Sequence, residues 1–205
     1  MASQRGVVHW AKRYDLLITI LTLGRERALR EKMLALGRVV SGESVLDVGC
    51  GTGTLAIAAK HRVGASGSVR GIDASPEMIA RAQQKAARAK VDVAFQVARA
   101  ESLPFSDGQF DVVLSTVMLH HLRRASREES LREIRRILKP GGRLLVVDFG
   151  VKSAGHRGPL AHFHKHGRVT LDDLVSLVAD AGLDILDAGH TGVGSLLFVL
   201  GARVS

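Results

Sequence analysis

Val45-Leu46-Asp47-Val48-Gly49-Cys50-Gly51-Thr52-Gly53 is the stretch on which the reading of this chain turns. A short apolar strand carrying one carboxylate runs straight into three glycines spaced two apart. Glycine lacks the Cβ that would block left-handed backbone or a close approach, so main-chain N–H groups can face a ligand where the next helix begins. The spacing separates this loop from two familiar ones. A dinucleotide fingerprint is G-x-G-x-x-G, with its third glycine one residue later, and a P-loop needs a Lys after its last glycine, which is missing here. The loop reads as a nucleotide-cofactor cradle, with a plain Gly-rich turn as the alternative.

Outward from the loop, strand-like runs alternate with helical patterns, which predicts a doubly wound, mostly parallel α/β sheet of the Rossmann-like kind. The runs near 44–48, 68–73, 92–97, 110–115 and 143–148 read as strands, with helices near 54–63, 76–89 and 127–138 between them. Ser75-Pro76 supplies an N-cap and a first-turn proline, and Ser126-Arg127-Glu128-Glu129 reads as a capping box. Lys139-Pro140-Gly141-Gly142 reads as a turn. Thr170 opens a helix ending at Gly182, and strands near 183–187 and 195–200 complete a seven-stranded sheet with a final antiparallel strand.

Ahead of this core, Trp10, Tyr14, Leu17, Ile18 and Leu21 fall at helical spacing, and a second helix carries Arg25, Arg27, Arg30 and Lys32 before Gly37. The pair packs on the core or lies on a membrane surface as a basic amphipathic hairpin. A single domain of 205 residues is expected: a helical cap at 1–40, a cofactor-binding core at 41–149, a lid at 150–169 and a terminal helix with hairpin at 170–205. The lid span is rich in Gly and His and too long for an ordinary connection.

Composition narrows the function classes. Hydrophobic residues make up 46% of the chain, too many for disorder, and no run approaches the ~20 apolar residues that span a bilayer. The single cysteine, Cys50, excludes an intrachain disulfide and fits a reducing cytoplasm; inside the loop it is a small buried residue or a reactive thiol. The net charge of +9 is concentrated in Arg123, Arg124, Arg127, Arg132, Arg135, Arg136, Lys139 and Arg143. That run reads as a solvated helix face mixing i,i+4 attraction and repulsion. No aromatics interleave with it, which argues against nucleic-acid binding.

Asp73 ends the second strand, 20 residues after Gly53, where a carboxylate can accept from both hydroxyls of a ribose. Together with VLDVGCGTG at 45–53, GIDASPEMIARA at 71–82, ARAESLPFSDGQFDVVLS at 98–115 and LKPGGRLLVVDF at 138–149, it gives the chain a strong resemblance to class I S-adenosylmethionine methyltransferases. The branch it resembles is that of the ubiquinone and menaquinone C-methyltransferases and their small-molecule relatives; Arg13-Tyr14-Asp15-Leu16-Leu17 matches that branch as well.

The resemblance implies S-adenosyl-L-methionine as cofactor, S-adenosyl-L-homocysteine as product, and no metal. It implies a methionine end held around Asp47, Gly49, Cys50, Gly51, Thr52 and Gly53, and a ribose at Asp73 beside Ala74. It also implies adenine at Arg99, Ala100 and Glu101, and the methionine amino group near Ser115 and Thr116. Arg99 departs from the pattern, since relatives carry Asp there and a guanidinium has no acceptor for the adenine amino group. Glu101, a backbone carbonyl or apolar packing must then serve.

Methyl transfer asks mainly for alignment and, for some acceptors, removal of a proton. His120 and His121, past the fourth strand, and Tyr14 are the candidate catalytic residues, each with a packing role as the alternative. His162, His164 and His166 alternate and could share a face; substrate-facing side chains in a lid are preferred over a metal site. The expected acceptor is a small, hydrophobic or quinone- and lipid-like molecule, reached from the cytoplasm or by peripheral membrane contact, with the protein a monomer or homodimer. RNA or protein methylation, and a noncatalytic binding module on the same fold, are the alternatives.

Overall fold

A computed structural model describes residues 26–150 and 169–204. Tyr14, the Trp10 stripe and the His162, His164 and His166 cluster lie outside the described residues. In chain order the elements are α1 (Glu26–Leu36), β1 (Ser44–Val48), α2 (Thr54–Val63), β2 (Ser68–Asp73), α3 (Pro76–Ala89), β3 (Ala94–Val97), β4 (Phe110–Thr116), a 3₁₀ turn (Leu119–His121), α4 (Arg124–Ile137), β5 (Leu138–Phe149), α5 (Leu171–Asp180), β6 (Asp184–His190) and β7 (Leu196–Ala202).

The seven strands form one sheet in the order β3-β2-β1-β4-β5-β7-β6, parallel except where β7 runs against both β5 and β6. Strand alternation divides the core into two layers. Val45, Val112, Leu114, Leu145 and Val147 meet α1, α2 and α3, while Leu46, Val113, Leu144 and Val146 meet α4 and α5. The middles of the central strands, 45–48, 112–115 and 144–148, are buried throughout, as a sheet covered on both faces requires. Strand order reverses direction at β1, with β2 on one side and β4 on the other, so the crevice beyond their carboxyl ends is where a ligand fits.

Local signals explain the helix starts. Ser75 Oγ accepts from Met78 N–H with Pro76 in the first turn, and Thr170 and Asp173 form a reciprocal capping box. The box expected at Ser126 does not form. α4 starts earlier, at Arg124, with Arg123 as an N-cap that lends no side chain, and the Ser126 carbonyl accepts from Ser130 Oγ inside the helix. The reason lies upstream, where Arg127 Nε donates to the carbonyls of Leu119 and Leu122 and draws the 3₁₀ turn onto the first turn of α4.

The Lys139–Gly142 turn is instead a bulge within a longer β5. Pairing with β4 jumps from Phe110–Leu138 to Val112–Arg143, and the looped residues are tied to Arg203, whose carbonyl accepts from Gly141 N–H and whose N–H donates to the Gly142 carbonyl. Nor is the arginine run simply a solvated face. Arg136 bridges Glu133, Asp107 and the carbonyls of Leu103 and Phe105, Lys139 grips both oxygens of Asp111, and Arg143 forks onto Glu43. Arg124 and Arg132, both paired loosely with Glu128, fit the solvated picture.

Candidate active site

Gly49, Gly51 and Gly53 all adopt positive φ, at 74°, 52° and 77°. The turn folds back on β2: Gly49 N–H and Cys50 N–H both donate to the Ile72 carbonyl, and Gly51 N–H donates to Asp73 Oδ2 at 3.0 Å. Two glycines are also required by space. A Cβ on Gly49 would lie 2.3 Å from Met118 Cγ, and one on Gly53 2.7 Å from Phe95 Cζ. A cleft opens beside the loop, walled by Gly49, Gly51, Thr52 and Leu55 on one side, by Thr116 and Val117 on another, and roofed by α1.

At its floor sits Asp47. Strand alternation turns its side chain toward the face that Val45 shares with α2, and it is 1% exposed. Neither carboxylate oxygen has a hydrogen-bond partner among the described residues. Desolvation first, and the nearby Asp73 second, push its pKa up to about 7; the Ala56 N–H in the first turn of α2 works the other way without offsetting them. A buried carboxylate left unpaired is costly, and here it lines a cleft.

The same surroundings decide Cys50. Burial, reinforced by Asp47 and Asp73, holds its thiol well above the ordinary value, which favours a small buried side chain over a reactive thiolate.

Asp73 is half-buried, its oxygens accepting from Gly51 N–H and Ser75 N–H and keeping further lone pairs. Ala74 is exposed in the turn that follows, and buried Thr52 accepts from Lys85 Nζ at 2.7 Å. Further along the rim, Arg99 is 73% exposed and donates to Glu101 at 2.8 Å, beside half-buried Ala100. Of the three ways of replacing the missing aspartate, Glu101 is thereby engaged already.

Beyond β4 the chain makes a strained corner. Val117 has φ 54°, a left-handed conformation uncommon for a β-branched residue, locked by its N–H donating to the Val147 carbonyl. Thr116 and Val117 wall the cleft; Ser115 does not. Its hydroxyl follows Val113 to the opposite face of the sheet, buried and without a partner among the described residues.

The 3₁₀ turn then brings His120 to the end of β5. His120 Nδ1 lies 2.7 Å from Asp148 Oδ1, His120 N–H donates to Asp148 Oδ2, and Phe149 N–H donates to Oδ1. His121 stacks on His120 with ring centroids 3.8 Å apart; desolvation and that neighbour lower its pKa against the opposing pull of Asp148. Neither histidine walls the glycine-loop cleft. The sequence reading passes over Asp148, whose one visible signal is a carboxylate after the apolar run Leu144–Val147. Among the described residues no group of His, Cys, Asp and Glu could hold a metal ion.

Residues 45–142, which contain the loop and the Asp73 turn, match the family model described as a methyltransferase domain. This stretch is a methyltransferase domain. Relatives extend the likeness past its ends. The ubiquinone/menaquinone biosynthesis C-methyltransferase of Xylella fastidiosa is 35% identical over 158 residues, covering 75% of this chain and 61% of that protein. The demethylmenaquinone methyltransferase of Thermus thermophilus is 39% identical over 139 residues, covering 68% and 62%.

The chain thus spans about three fifths of the length of these curated relatives. Among solved structures, a SAM-dependent methyltransferase from Aquifex aeolicus superposes with a TM-score of 0.72 at 24% identity, covering 85% of this chain and 89% of that one. At that identity the likeness speaks for the fold. The Rossmann-like sheet with its reversed β7 agrees with that fold, and no helix among the described residues is long and apolar enough to cross a membrane.

Proposed function

We propose that this chain transfers a methyl group from S-adenosyl-L-methionine to a carbon of a small, hydrophobic, quinone-like acceptor, leaving S-adenosyl-L-homocysteine. The observation that carries the donor is Asp47, a buried carboxylate with both oxygens unpartnered among the described residues, lining a cleft beside a loop whose three glycines hold left-handed backbone. The ammonium of the cofactor's amino-acid end is the cation such a group lacks. The residues present fit the rest of the molecule. Backbone at Gly49, Gly51, Thr52 and Gly53 lines the methionine end, with Thr116 across the cleft; the free lone pairs of Asp73 suit ribose hydroxyls, next to Ala74. With Arg99 on Oε1 of Glu101 alone, the adenine edge falls to Oε2 of Glu101, to the backbone of Ala100 and to apolar packing. When bound, the cofactor supplies an electrophilic methyl group on a sulfonium.

For the acceptor, support comes from two relatives whose names state methylation of quinone precursors, and from the dyad at the tips of β4 and β5. A carbon nucleophile on a quinol-like ring gains strength when its hydroxyl loses a proton. Asp148 already receives two backbone N–H groups, so the imidazole tautomer that satisfies it carries the proton on Nδ1 and leaves Nε2 to accept one. His120, 20% exposed, is the base in this account, and Asp148 orients it. His121 packs against it, and Arg127 braces the turn from which both project. An apolar acceptor goes with peripheral membrane contact through the basic N-terminal segment.

The test is incubation of the protein with methyl-labelled cofactor and a demethylated quinol. One labelled methyl per acceptor is expected. Tight binding of S-adenosylhomocysteine with no transfer to the quinol would overturn the acceptor and spare the donor.

A further inference from the structure

The amino-acid end of the proposed methyl donor is a zwitterion. Asp47 answers its ammonium, but a carboxylate brought into the same cleft would meet two acids, Asp47 and Glu26, and needs a cation of its own. Among the described residues that wall the cleft, Arg30 is the one cationic side chain.

Its placement follows from the helix. Glu26, Leu29, Arg30 and Met33 stand at i, i+3, i+4 and i+7, so one stripe of α1 roofs the loop, mixing apolar cover with an acid–base pair. Arg30 Nη1 donates to Glu26 Oε2 at 3.1 Å, and both side chains are 26% exposed. A guanidinium presents five N–H donors in a fixed fork, and this pair uses a single one, so a further edge remains for a second carboxylate.

We propose that Arg30 receives the α-carboxylate of the bound cofactor, taking it in place of, or alongside, Glu26. The inference rests on the donor assignment above. It makes the α1 stripe a discriminator: a ligand with adenosine and sulfur but no carboxylate fits the loop equally well and gains nothing from the roof. Glu26 holds the guanidinium over the cleft until that carboxylate arrives.

Calorimetric titration of the wild-type chain, Arg30→Gln and Arg30→Lys with three ligands tests this. The ligands are S-adenosylhomocysteine, decarboxylated S-adenosylmethionine and 5′-methylthioadenosine. Arg30→Gln is expected to weaken S-adenosylhomocysteine about 10–100-fold, as loss of a charge-assisted pair would. The two ligands without a carboxylate should bind the variant as they bind wild type, which also shows that the variant is folded. Arg30→Lys should fall between, because it keeps the charge and loses the fork.

Glu26→Gln should bind S-adenosylhomocysteine at least as tightly as wild type. Equal weakening of all three ligands by Arg30→Gln, or no weakening of S-adenosylhomocysteine, overturns the role of Arg30, as does a loss in Glu26→Gln. Absence of binding by any of the three to wild type overturns the donor assignment, and this inference falls with it.

Discussion

Two aspartates end two strands of the same sheet, each 1% exposed, and they are in opposite conditions. Asp148, at the tip of β5, is satisfied from within, by His120 N–H, His120 Nδ1 and Phe149 N–H. Asp47, at the tip of β1, has no partner among the described residues and is pushed up to about pKa 7. The difference separates a finished device from an unfinished one. The His120–Asp148 pair is fixed by three hydrogen bonds within the protein. The carboxylate of Asp47 has no such partner among the described residues, and the ammonium of the proposed methyl donor would supply one.

Breaking the finished half should cost the most, and only in turnover. His120→Ala is expected to lower methyl transfer about 10²–10⁴-fold with S-adenosylhomocysteine affinity unchanged, and Asp148→Asn to follow it in the same direction. Steady-state kinetics beside calorimetry separates the two readouts. A loss of only a few-fold would leave the dyad a structural brace.

Breaking the unfinished half should instead cost affinity. Asp47→Asn is expected to weaken S-adenosylhomocysteine about 10–100-fold. The same change should stabilise the ligand-free protein at pH 8 by on the order of 1–3 kcal/mol in denaturant titrations, since it removes an unpaired buried charge.

The pH dependence has a definite sign. The pKa of Asp47 is raised from 3.8 to about 7 on folding, so between those values the native state holds a proton that the unfolded state has lost. That contribution to stability is full below about pH 4, falls as pH rises to about 7, and is level above. The slope should vanish in Asp47→Asn. Affinity for the ligand runs the other way, rising up to about pH 7, because the ammonium prefers the ionised carboxylate.

Smaller effects sharpen the contact between the halves, which meet where Met118 fills the space a Cβ on Gly49 would need. Gly49→Ala is expected to cost about 1–3 kcal/mol in thermal or chemical unfolding and to weaken binding as well. Gly141→Ala, at nearly the same φ but with open space around its Cβ, should cost about 1 kcal/mol or less. Thr170→Ala removes one bond of a capping box far from the cleft. It should cost about 1 kcal/mol and change neither affinity nor turnover.

The two halves were unequally legible in the sequence, for a physical reason. The loop is constrained by backbone geometry, and positive φ at 49, 51 and 53, with a neighbour inside Cβ distance at 49 and 53, writes glycine into the chain at a countable spacing. Asp73 follows at a strand end for the same reason. The His120–Asp148 pair is a contact between residues 28 apart, and no periodicity announces it. Ser126 misled because a capping box needs only residue types, whereas the start of α4 is decided by Arg127 reaching back to two carbonyls. The arginines read as a solvent face because charge is visible in sequence while partners such as Asp107, Glu43 and Asp111 are not. Ser115 and Thr116 are adjacent in sequence yet lie on opposite faces of a strand, and Thr116 is the one that walls the cleft.

Asp47 and the glycine loop are proposed to receive the amino-acid end of a methyl donor. Calorimetric titration of S-adenosylhomocysteine into the wild-type protein at pH 6 and pH 8 tests this most directly. The account predicts saturable one-to-one binding that is tighter at pH 8, with a proton released at pH 6. No binding at millimolar ligand, or an affinity indifferent both to pH and to Asp47→Asn, would contradict it.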